Sequence, residues 1–214
     1  MDKSICLIAV TGFCGTGKTT ISRMLEATLQ DAIVIAGDVH LISSTLKYTS
    51  EFESIFKMSF DSNNPAFCLS KGVNSGATPF CEYIELIHPY VNEQLLKNIA
   101  TITTENSSIQ YIIIEWGALA RLQVWNKAQY RIMIDAPKVE RNQRLMSRPH
   151  HPQIPMSEYE NAGIFREAAL CDIMKKATNV NYLVYNTYDD YLARIVDYLC
   201  QKITMGCGDL LLPL

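Results

Sequence analysis

Residues 5–25 read ICLIAVTGFCGTGKTTISRML, and this stretch decides the fold. Its first part, 5–11, is a continuous apolar run, the pattern of a strand covered on both faces of a sheet. A glycine-punctuated turn follows. Ile21, Met24, Leu25 and Leu29 then recur at helical spacing over 18–29. Gly12 to Thr19 fits G-x-x-x-x-G-K-[ST] at every fixed position. Glycines let successive backbone N–H groups turn inward around a phosphate. The N-terminus of the following helix adds unpaired donors and positive partial charge. The stretch therefore reads as a nucleoside triphosphate site, with Gly12, Cys14, Gly15, Thr16, Gly17, Lys18, Thr19 and Thr20 as nucleotide-binding residues. Lys18 reaches the outer phosphates, and the Thr19 hydroxyl is the candidate Mg2+ ligand.

Working outward, four more short apolar runs read as strands: 33–37 (IVIAG), 111–116 (YIIIEW), 130–135 (YRIMID) and 182–186 (YLVYN). Amphipathic patterns separate them. One covers about 138–147, and another places Tyr188, Leu192, Ile195, Val196, Leu199 and Ile203 on one stripe. Strands alternating with helices predict an α/β three-layer sandwich on a five-stranded parallel sheet, folded as a single domain over 1–214. The stretch of about 39–110 is mostly helical in pattern, broken by FDSNNP and KGVNSGATP, and reads either as a substrate-side insertion or as ordinary packing helices.

The formal net charge of −3 gives no reason to expect nucleic acid or an acidic membrane as partner. Charge is uneven, with seven Lys/Arg against Asp135 and Glu140 between Arg121 and Arg148. The seven cysteines (Cys6, Cys14, Cys68, Cys81, Cys171, Cys200, Cys207) are scattered without a C-x-x-C pair, which fits reduced thiols in a cytoplasmic protein. No signal-peptide layout opens the sequence, and no apolar run approaches the ~18 residues of a membrane span. The closing CGDLLLPL reads as a loose or docked tail.

Phosphoryl transfer needs a group that orients or deprotonates the acceptor, a metal shell and cations for the migrating charge. Asp38 follows the second strand, where carboxyl ends of strands border the ligand crevice of an open sheet. It is the candidate base or metal ligand, or else the N-cap of the next helix. Glu115 ends its strand as a candidate holder of metal-bound water, or as a structural ion pair. Arg141, Arg144 and Arg148 share a helix face and are set to meet phosphate charge, or form a solvated basic face. The Arg148–Pro152 run, RPHHP, breaks the helix like a hinge into a lid over about 149–170.

These segments together resemble the dephospho-CoA kinase family, in the nucleoside-monophosphate-kinase-like group of P-loop proteins. AIVIAGDVH is similar to that family's second-strand segment, with Asp38 on the final Asp of its Asp-Ala-Asp triplet. IELIHPYVNEQL resembles its His-Pro segment at His88-Pro89, and the run from Tyr111 to Pro149 resembles its third and fourth strands and the arginine run leading to the lid, matched by Arg144 and Arg148. The resemblance implies ATP and Mg2+, catalytic roles for Asp38, Lys18, Arg144 and Arg148, and contacts of Asp38 and His88 with the acceptor, the ribose 3′-hydroxyl of dephospho-CoA; Arg141, beside the arginine run, is a further candidate acceptor contact. It also sets Asn186 near the adenine, a residue that the pattern alone reads equally well as a helix cap. The chain departs from the family at Ala36, at Gly117-Ala118-Leu119 and at Arg141, and the family's Asp-Arg-rich segment is missing from the 39–110 stretch. These departures fall on the acceptor side more than on the ATP side. A nucleoside, nucleotide or other metabolite kinase is thus the alternative, and a P-loop NTPase or nucleotide-sensing module is the reading from a different class.

Overall fold

The computed structural model describes residues 5–148, 177–187 and 189–206, with Ser157, Leu170, Cys171, Met174 and Lys175 besides. Most of the expected lid, the His150-His151 pair, Tyr188 and the 207–214 tail lie outside the described residues.

The five strands are β1 (Cys6–Gly12), β2 (Ala32–Ala36), β3 (Tyr111–Glu115), β4 (Tyr130–Asp135) and β5 (Tyr182–Tyr185). They form one sheet in the order β2-β3-β1-β4-β5, and every pairing is parallel. β1 is central, and its apolar run is buried from Ile8 onward because helices cover both faces. Edge strand β5 instead alternates buried and exposed residues, with one side toward the core. The chain passes from β1 to the β3 side and returns to the β4 side, so the β1 C-terminus lies at a topological switch point. A crevice opens there by construction.

Helix α1 (Lys18–Thr28) leaves β1, and α8 (Asp189–Thr204) follows β5. The two pack side by side on one face. Ile21, Leu25 and Leu29 meet Leu192, Val196, Leu199 and Ile203 over Ile8, Val10, Ile132 and Ile134. Burying each such leucine or isoleucine fully contributes roughly 1.5–3 kcal/mol. Alternation along β1 sends Ala9 to the opposite face. There α5 (Ala77–Glu105) covers Ile112 and Ile114 with Ile84, Ile87, Val91 and Leu95. Trp125, on the short helix α6 (Gln123–Lys127), closes this layer and donates its indole N–H to the Thr178 carbonyl at 3.0 Å.

Between β2 and β3 run α2 (Val39–Lys47), α3 (Thr49–Phe56), α4 (Pro65–Val73) and α5. Both turn-rich pieces of sequence fall at helix borders. Pro65 occupies the first turn of α4, where its missing N–H costs nothing, and Asn74–Gly76 separate α4 from α5. Phe52, Phe56, Phe60 and Tyr83 bind this unit together by tilted and edge-on ring contacts. Helix α7 (Lys138–Met146) follows β4 and lies against the 12–19 loop. The six described cysteines are all free thiols. Among the described residues, no helix is long and apolar enough to cross a membrane.

Candidate active site

The 12–19 loop is closed by its own residues. The Thr16 hydroxyl donates to the Phe13 carbonyl at 2.9 Å. Helix α1 starts at Gly17, which is left-handed at φ 74°, and no side chain caps it. Its first N–H groups therefore remain free of a capping partner, which is what an anion-binding helix start requires. Gly15 also sits at positive φ, 78°, and a Cβ there would lie 2.5 Å from the Arg141 carbonyl oxygen. A Cβ on Gly17 would fall 2.5 Å from the Asn186 side-chain nitrogen. The loop is thus glycine-rich for two reasons: backbone conformation, and the close approach of α7 and the β5 terminus from behind.

That support is specific. Asn186 donates its side-chain N–H to the Thr16 carbonyl at 2.8 Å. Arg144 donates to the Gly15 carbonyl at 3.4 Å and is itself held by Glu140 at 3.1 Å. Arg141 is 8% exposed, stacks its guanidinium over the Phe13 ring at 4.8 Å and donates Nε–H to the Ala136 carbonyl at 3.0 Å. The Gly15 and Thr16 carbonyls thus each accept a hydrogen bond from outside the loop.

In front of the loop is a cavity of about 440 Å3. Gly15, Gly17, Lys18, Thr19 and Thr20 border it together with Asp38, Glu115 and Arg148. Glu115 is buried, accepts from the Thr19 hydroxyl at 3.1 Å and lies 3.6 Å from Lys18 Nζ. Its position comes from register: β3 pairs with β1 so that Glu115 stands opposite Val10, two residues before the glycine turn. Thr19 and Glu115 are oxygen donors of the kind a hard cation accepts, and Mg2+ is usually held by one or two protein oxygens with phosphates and water. No group of three or more His, Cys, Asp or Glu forms a separate metal site among the described residues.

Asp38 stands at the N-terminus of α2, yet its carboxylate makes no capping hydrogen bond, and its backbone is already helical at φ −60°, ψ −25°. It is exposed and faces the cavity. The carboxylate is therefore not spent on the helix, and the cap reading of the sequence loses its physical basis.

Not every expected site residue borders the cavity. Cys14 and Arg148 do. Arg141, Arg144 and Asn186 do not border it; they contact the loop at Phe13, Gly15 and Thr16. Gly12 and Thr16 belong to the loop, and Thr16 is fully buried. His88 is on α5 and packs edge-on to Trp116, with its Nε2 buried and unpartnered among the described residues. Burial pushes its pKa down to about 4, helped by the Arg121 charge and opposed by Glu85. The sequence left Glu115 undecided between two roles. Its register opposite the loop, which strand order alone supplies, brings it to Lys18 and Thr19.

No family model and no curated protein matches the sequence. Solved structures do resemble the fold. "TT1252" from Thermus thermophilus superposes at TM-score 0.64 with 18% identity, over 94% of this chain and 99% of that one. Shikimate kinase from Bacteroides thetaiotaomicron gives 0.55 and 14%, over 94% and 99%. Dephospho-CoA kinase from Campylobacter jejuni gives 0.54 and 17%, over 94% and 98%. At these identities the likeness is one of fold: a five-stranded parallel α/β sandwich shared with P-loop kinases along nearly the whole chain.

Proposed function

We propose that this chain is an ATP-dependent phosphotransferase acting on a hydroxyl of a small-molecule acceptor. One observation carries the reading: Lys18, Thr19 and the free carboxylate of Asp38 border one cavity, whose far wall is built by the helices between β2 and β3. A transferase needs a second compartment beside the terminal phosphate; a molecule that only hydrolyses or senses a nucleotide does not.

The loop N–H groups and Lys18 hold the triphosphate. Thr19, with Glu115 behind it, would hold Mg2+, which supplies positive charge against the phosphate oxygens. Asp38 orients the acceptor hydroxyl and takes its proton as the bond from that oxygen to the γ-phosphorus forms. The bond from the γ-phosphorus to the β,γ-bridging oxygen breaks, and ADP leaves with the electron pair. Arg148 meets the charge on the migrating group. Arg144 acts through the loop by fixing the Gly15 carbonyl.

Dephospho-CoA is the acceptor that the sequence resemblance names, and a dephospho-CoA kinase is among the solved neighbours. The apolar character of the cavity wall favours the second reading, a different metabolite alcohol. Two variants test the shared chemistry. Lys18→Ala should lose nucleotide binding. Asp38→Asn should keep binding and lose transfer by roughly 10²–10⁴, the size of a lost general base. Equal transfer by Asp38→Asn and wild type would remove Asp38 from the mechanism.

A further inference from the structure

Strand β5 ends at Tyr185, but its ladder continues for one residue, because the Asn186 N–H donates to the Asp135 carbonyl at 2.8 Å. Alternation along the strand then decides where the Asn186 side chain goes. Tyr182 and Val184 pack in one core cluster with Ile21 and Leu25 of α1. Asn186 falls on the same face and meets the chain where α1 begins. Its side-chain N–H donates to the Thr16 carbonyl at 2.8 Å. Both residues are buried, Asn186 at 3% exposure and Thr16 at 0%. Asn186 Oδ1 is buried without a partner among the described residues, so the nitrogen is the atom that fixes the amide in place. Gly17 permits the close approach: its φ is 74°, and a Cβ there would lie 2.5 Å from the Asn186 side-chain nitrogen. The consequence lies on the other side of the same peptide. In a trans peptide unit the C=O and the following N–H point in opposite directions, and no cis bond occurs among the described residues. Holding the Thr16 carbonyl therefore turns the Gly17 N–H away from Asn186. Gly17 borders the cavity and Asn186 does not. The neighbouring Thr16 N–H has a different use, donating to the Phe13 carbonyl at 3.4 Å within the loop.

We infer that Asn186 is a positioning residue of the nucleotide site: by holding the Thr16 carbonyl it aims the Gly17 N–H at a phosphate oxygen of the bound nucleotide. The inference deepens the phosphotransfer reading and rests on it. It also differs from the adenine contact that the family resemblance implies for Asn186. A peptide plane held for phosphate serves every nucleoside triphosphate alike, whereas a side chain that touches the base distinguishes among them.

The test separates phosphate from base. Calorimetry measures the binding of a non-hydrolysable ATP analogue and of inorganic triphosphate, each with Mg2+, to wild type and to Asn186→Ala. Affinity for both should fall by about tenfold or more in the variant, the size of a lost hydrogen bond to a charged group. In wild-type protein labelled with [15N]glycine, the Gly17 amide proton should move downfield when the ATP analogue is added, as a hydrogen bond to an anionic oxygen requires. Asn186→Asp keeps the shape of the side chain but sets an acceptor against the Thr16 carbonyl, and in it that movement should be lost. A loss confined to the ATP analogue, with triphosphate affinity intact, makes Asn186 a base contact and overturns the inference. Equal affinities in wild type and Asn186→Ala overturn it too. A wild-type Gly17 amide that does not move downfield also overturns it, and this measurement decides the matter where a variant fails to fold or where triphosphate binds too weakly to titrate. Failure of the wild-type protein to bind any of these phosphates overturns the phosphotransfer reading instead.

Discussion

Replacing Glu115 by glutamine tests what the Lys18–Glu115 pair contributes to the loop. Glu115 is 4% exposed and lies 3.6 Å from Lys18 Nζ. At an effective dielectric of about 20, charges that far apart attract by roughly 4–5 kcal/mol before desolvation. Desolvation offsets much of this. The Lys18 side chain keeps 13% exposure and the pair is longer than a direct hydrogen bond, so the net coupling falls below the ~3–5 kcal/mol typical of breaking a fully buried pair. A value of about 2 kcal/mol is expected, or about 4–8 °C in Tm for a chain of this length. Thermal unfolding of wild type, Glu115→Gln, Lys18→Met and the double variant gives the coupling directly. In saturating ATP without Mg2+, phosphate replaces the carboxylate as partner of Lys18, and the penalty of Glu115→Gln should shrink. A Tm within about 1 °C of wild type, or a coupling near zero, would refute a stabilising role for this pair.

Three other substitutions probe separate parts of the account. Gly15→Ala combines positive φ with a Cβ 2.5 Å from the Arg141 carbonyl oxygen; nucleotide affinity by calorimetry should drop at least about tenfold, and retained affinity would show that the loop tolerates the displacement. Arg148→Ala should lower kcat by about 10³-fold, with a smaller loss of ATP affinity, and unchanged turnover would return Arg148 to a solvated face. His88 takes up a proton near pH 4 in the folded state, against about 6.5 when unfolded. The unfolded chain therefore binds more protons between these values, and stability should fall as pH drops from about 6.5 to about 4. His88→Phe should flatten that slope in urea unfolding followed across pH; an unaltered slope would assign it to other groups.

The loop and its flanking elements were legible in the sequence because their signals are local. An apolar run, glycines at fixed offsets and a 3.6-residue period need no knowledge of the rest of the chain. Each expected strand lies within one residue of the observed bounds. What was not legible depends on pairing and packing between distant segments. Glu115 reaches Lys18 only because β3 neighbours β1. Arg141 and Arg144 share a helix face with phosphate-binding spacing, and only the placing of α7 beside the loop brings them to Phe13 and to the Gly15 carbonyl. Asn186 reads as a helix cap until β5 is placed beside β4, which brings its amide to Thr16. The sequence around His88-Pro89 gave no sign that α5 continues through Pro89, since proline is normally a boundary.

The central claim is that the γ-phosphoryl group reaches an acceptor hydroxyl and not water. Following [γ-32P]ATP with the purified protein, Mg2+ and a panel of neutral and anionic alcohols, dephospho-CoA and shikimate among them, tests it most directly. An acid-stable labelled ester should appear only with an acceptor, at a rate reduced by roughly 10²–10⁴ in Asp38→Asn. Label released solely as inorganic phosphate, at a rate indifferent to every acceptor and to Asp38→Asn, would contradict it and leave the chain a nucleoside triphosphatase.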